Sequence, residues 1–85
     1  MREHPRRQDG VQLEEVADGF LVHQPEKKRV HYLNRTAALV LEMCDGETGK
    51  TEMAAALKEL FDLADPPLSE VEECLGSLRK QGLVR

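Results

Sequence analysis

The side chains able to hold a metal or attack a substrate are few: His4, His23, His31, Cys44 and Cys74. None of them stands in a C-x-x-C, H-x-x-x-H or equivalent spacing, so no metal site is expected. His23 and His31 are spaced to face each other across a hairpin, which without a third ligand is an ordinary cross-strand pair. A cysteine nucleophile needs a nearby base and an electropositive, partly open setting. Cys44 falls at the end of a helix, where the dipole opposes a thiolate, and Cys74 has Glu70 and Glu73 for neighbours. Both read as buried thiols of a reducing compartment. Glu70, Glu72 and Glu73 fall in the first turn of a helix, where they complement its dipole. The glycines, Gly49-Lys50 included, make no phosphate-cradling loop. No catalytic residue and no cofactor is expected, and a free-standing enzyme is the least supported reading.

The elements that would carry these residues follow from pattern. Met1 to Gly10 is charged, aperiodic and interrupted by Pro5, and reads as a mobile arm ahead of one domain over residues 11–85. Val11 to Ala17 alternates imperfectly, Asp18-Gly19 is a two-residue hairpin signal, and Phe20 to Gln24 is the return strand. Pro25 to Lys28 turns the chain into a third strand, Arg29 to Leu33. Asn34 then caps a helix over about Arg35 to Cys44, which Asp45-Gly46 ends. Thr48 or Thr51 caps a second helix, whose apolar face runs through Met53, Ala54, Leu57, Leu60 and Phe61. Asp65-Pro66-Pro67 stops it. Ser69 and Glu72 have capping-box spacing for a third helix with the stripe Val71, Leu75, Leu78, closed by Gly82. The fold class is α+β: a winged-helix-like, three-stranded antiparallel sheet followed by three helices.

At 85 residues with no Trp, the chain has room for one small core built from Leu, Val, Ala and Met. No apolar run approaches the roughly 20 residues of a membrane span, and residues 1–10 are too polar for a signal peptide, so a soluble cytoplasmic protein is expected. The net charge of −4 is unevenly spread: residues 1–35 carry +1 and the remainder −5. Lys27, Lys28, Arg29 and Arg35 gather around the strand-to-helix joint, while the helical part is acidic and would repel a polyanion.

Tyr32-Leu33-Asn34, Thr36-Ala37-Ala38, the helix end Leu41-Glu42-Met43-Cys44-Asp45-Gly46, the stretch Thr48 to Leu57 and the closing Leu78-Arg79-Lys80-Gln81-Gly82-Leu83-Val84 come in an order that resembles the PqqD-like family. These are small peptide chaperones, also called RiPP recognition elements. The resemblance runs from about Gly19 to the C-terminus and departs at Gly49-Lys50, where apolar or small helix-forming residues are more usual. It implies a non-catalytic protein that binds the leader of a ribosomally made precursor peptide. The leader is then presented to a modifying enzyme, often a radical SAM protein, as in pyrroloquinoline quinone biosynthesis. It also implies that the leader joins the third strand and lies in a groove between that strand and helix 3.

On that reading the contact residues are Arg29, Val30, His31, Tyr32 and Leu33 on the strand and Glu70, Glu73, Cys74, Ser77 and Gln81 on the helix flank. Lys27, Lys28, Arg29 and Arg35 would steer an acidic peptide. Two other classes share the same elements. A winged-helix DNA-binding domain needs a basic recognition helix, and helix 3 opens on glutamates. An interaction module would pair the same open edge with a second copy as a homodimer. Neither nucleic acid nor membrane is an expected partner.

Overall fold

Side chains alternate along the strands, and the alternation decides which face of the sheet receives the helices. The computed structural model describes residues 4–84. Strands β1 (Gln12–Val16), β2 (Gly19–Gln24) and β3 (Arg29–Leu33) pair antiparallel in that spatial order. Leu13, Val22 and His31 are aligned across the sheet, as are Phe20 and Leu33, and this is the face against the helices. Leu21 with Tyr32 and His23 with Val30 occupy the outer face. His23 and His31 therefore lie on opposite faces, which corrects the expected cross-strand pair. His23 instead meets Glu14 Oε1 at 2.9 Å.

Helices α1 (Arg35–Glu42), α2 (Lys50–Phe61) and α3 (Leu68–Lys80) complete the fold. Their buried faces, Ala38, Val40 and Leu41, then Met53, Ala54 and Leu57, then Val71, Leu75 and Leu78, surround Val22 and Leu33, with Cys44 joining them just past α1. Leu83 and Val84 seal the cluster from the C-terminal side.

Three junctions decide how these pieces meet. Asn34 caps α1, its Oδ1 accepting from the Ala37 N–H at 2.8 Å, so β3 passes into α1 with one residue between them. Gly82, at φ +77°, closes α3 with a paired-bond cap in which Leu83 N–H donates to Leu78 O at 2.9 Å and Gly82 N–H to Arg79 O at 3.0 Å. Gly19 has a different role from the one its position after Asp18 suggests. Val16 pairs with Gly19, so the two-residue loop is Ala17-Asp18 and Gly19 is already in β2. A Cβ there would lie 2.5 Å from Leu33 O and 2.8 Å from the Tyr32 hydroxyl, which makes glycine a requirement of close approach.

Two expected caps are replaced. Gly49 caps α2, with Glu52 Oε1 accepting from its N–H at 2.8 Å; Thr48 bonds Asp45 instead and Thr51 lies inside the helix. At α3 the position before the helix is Pro67, so the Ser69–Glu72 box does not form, and Glu72 accepts from Lys50 Nζ at 2.7 Å. α1 also ends at Glu42, short of Cys44.

The mobile arm expected over residues 1–10 is corrected for residues 5–8; residues 1–3 lie outside the described range. Pro5 is buried, Gly46 N–H donates to Pro5 O, Arg7 N–H to Cys44 O and Gln8 N–H to Leu83 O, at 2.8–2.9 Å. Arg6 and Arg7 thereby bridge to Asp45 and Val84. Polar composition conceals this because the anchoring groups are backbone. Deleting residues 1–8 is expected to cost roughly 2 kcal/mol, or about 10 °C in thermal midpoint by circular dichroism; an undocked arm would leave the midpoint unchanged.

Candidate functional site

Among the described residues β3 pairs with β2 alone, and the N-terminal segment that adds bridges elsewhere leaves its other edge open. An open strand edge offers a row of backbone N–H and C=O groups to an incoming chain. Beside it lies a groove of about 780 Å³, walled by Leu33, Asn34, Thr36 and Ala37 on one side and by Glu70, Glu73, Cys74, Ser77 and Gln81 on the other. Leu57, Phe61, Leu63, Pro67 and Leu78 supply its apolar surface.

Of β3 only Tyr32 and Leu33 line this groove, whereas α3 lines it from Glu70 to Gln81. Gln24, which is aligned with Arg29, donates from Nε2 to Gly82 O at 3.1 Å, so the end of α3 sits beside the start of β3. A second cleft, of about 720 Å³, separates His4 and Pro5 from α2 and α3, but its Lys50 and Glu72 are paired and its Gly49 N–H is capped.

Charge in the groove is of one sign. Glu70 and Glu73 are its only charged lining residues, and neither has an ion-pair partner among the described residues. Burial, then the charges of Glu70 and Glu73, raise the Cys74 thiol above its usual range. Deeper burial pushes Cys44 up to about 11, and its Sγ–H donates to Val40 O at 3.1 Å. Among the described residues no group of three His, Cys, Asp or Glu side chains could hold a metal ion. No helix among them is long and apolar enough to cross a membrane.

Of the residues expected at the site, Tyr32, Leu33, Glu70, Glu73, Cys74, Ser77 and Gln81 line the groove. Arg29 and Val30 are exposed on β3 outside it, and His31 turns under the sheet to Gln24 Oε1 at 2.9 Å. Tyr32 is half-exposed, its hydroxyl donating to Asp18 O at 2.7 Å. The four steering cations do not form one cluster: Lys27, Lys28 and Arg29 precede or open β3, and Arg35 follows its far end.

Phe61, Leu63 and Pro67 were not expected at the site. Phe61 and Leu60 continue the apolar face of α2 and read as core, yet they are 38% and 63% exposed. Their signal was available as apolar residues crowding a proline-rich connector.

The fold is similar to the solution NMR structure of the PqqD truncation of Methylobacterium extorquens PqqCD, a functional and stand-alone RiPP recognition element. The TM-score is 0.70 at 28% identity, over 95% of this chain and 87% of that one. A three-stranded antiparallel sheet followed by three helices, in the manner of a RiPP recognition element, is thus the class of this protein. The family described as Coenzyme PQQ synthesis protein D (PqqD) matches residues 19–84. The PqqA binding protein of Methylococcus capsulatus (Bath) is 33% identical over 75 residues, 88% of this chain and 77% of that protein. The chain belongs to the PqqD family.

The two thiols should separate chemically. Cys44, raised from 9.0 to about 11, holds roughly a hundredfold less thiolate at pH 8 than an ordinary thiol. Iodoacetamide is therefore expected to reach Cys74 first and Cys44 only on unfolding. Because the fold favours the neutral Cys44 thiol, its contribution is full below pH 9 and is lost as pH rises toward 11. The thermal midpoint should fall across that window, and fall less steeply in Cys44→Ala.

Proposed function

We propose that this protein is a non-catalytic chaperone for a precursor peptide of the PqqA kind. Its leader adds to β3 as a fourth strand and is carried to a modifying enzyme of the same pathway, of radical SAM type, in the cytoplasm. The single observation that supports this best is the unpaired edge of β3 running beside an apolar groove. Main-chain bonds along the edge supply affinity at about 1 kcal/mol net each. Side chains at alternate peptide positions would enter the groove and supply selectivity. Arg29 to Leu33 contribute mainly through backbone, whereas Glu70, Glu73, Cys74, Ser77 and Gln81 contribute side chains. What the relatives are named for agrees with this reading: one is a PqqA binding protein and the other a RiPP recognition element.

The cations flanking β3 act at longer range. Lys27, Lys28 and Arg29 at one end and Arg35 at the other attract an acidic segment and speed its encounter. The Methylococcus PqqA peptide is the probe for both parts. Titrated into labelled protein, it is expected to shift the amides of Arg29 to Leu33 and of α3. N-methylation at two alternate backbone positions should weaken it more than tenfold. Full affinity after N-methylation, or untouched β3 amides, would exclude strand addition. Reversing Lys27, Lys28 and Arg29 to Glu should slow association several-fold at low salt and leave it unaffected at high salt.

A further inference from the structure

We propose that the groove selects a peptide carrying a Lys or Arg that crosses its apolar surface to place its charge on Glu70 and Glu73. The inference rests on the peptide-binding reading above and names what that site recognises. Glu70 and Glu73 stand three residues apart and so project on the same side of α3. Glu72, which points to the other side, is the one neutralised by Lys50. The two free carboxylates are the only charges on the groove wall, and Phe61 and Leu63 are exposed close by. A long basic side chain suits this combination: its stem covers apolar surface while its head reaches the carboxylates. The Phe61 ring adds a face on which a cation can rest.

The test uses the full chain and synthetic PqqA peptides in which each Lys or Arg is replaced in turn by norleucine, which keeps the stem and removes the charge. Fluorescence anisotropy is read against wild-type protein and Glu70→Gln/Glu73→Gln. One position is expected to lose roughly five- to tenfold in Kd against wild-type and nothing further against the double variant. A matched charge swap, Glu70→Lys/Glu73→Lys with Glu at that peptide position, should recover most of the loss. Binding that no basic position influences, or losses equal in both proteins, overturns the inference and leaves the peptide-binding reading intact. Absence of binding by any peptide to folded wild-type protein overturns both.

Discussion

The geometry of the groove depends on one buried amide. Gln24 is 6% exposed, and the two ends of its side chain hold two different elements: Nε2 donates to Gly82 O at the end of α3 and Oε1 accepts from His31 Nε2 on β3. With its nitrogen committed to a carbonyl, the oxygen can only accept, so the proton on His31 is fixed at Nε2. A polar side chain in a core this small persists because it is satisfied at both ends. What it secures is the separation between an edge strand and the helix facing it, along the line where the open groove begins.

The other end of the groove is held by local chemistry. Asn34 turns the chain from β3 into α1 in a single residue, so the last strand residue, Leu33, is fixed by both the core and the cap. Gly19 permits that arrangement from the neighbouring strand by leaving the space that Leu33 O and the Tyr32 hydroxyl occupy. The strand therefore has a rigid inner side and an unpaired outer one. On the proposed function, such a surface would recognise an extended chain by backbone and leave identity to the wall opposite, where Glu70, Glu73 and Gln81 stand.

Much of this was legible in the chain itself, and the larger misses turn on distant neighbours. Local signals held: Asn34 and Gly82 cap the helices they suggest, and the spacing of Glu70, Glu73, Cys74, Ser77 and Gln81 places them along one flank of α3. Signals whose outcome depends on a distant partner did not. The helix expected to follow Ser69 already begins at Leu68, and the Glu72 carboxylate goes to Lys50, 22 residues away. Residues 5–8 dock by backbone groups that no side-chain pattern announces. Leu60 and Phe61 extend a core stripe past the point where any neighbour covers it, and periodicity cannot say where a neighbour stops.

The bridge between Arg7 and Val84 brings the two ends of the described chain side by side, and neither residue lines the groove. A domain so built can be joined to a larger polypeptide through a single stalk, at its front, at its back or as an insert in a loop, without disturbing the surface that receives a guest. Portability of this sort lets one recognition unit be shared among carriers of different size while its geometry stays constant.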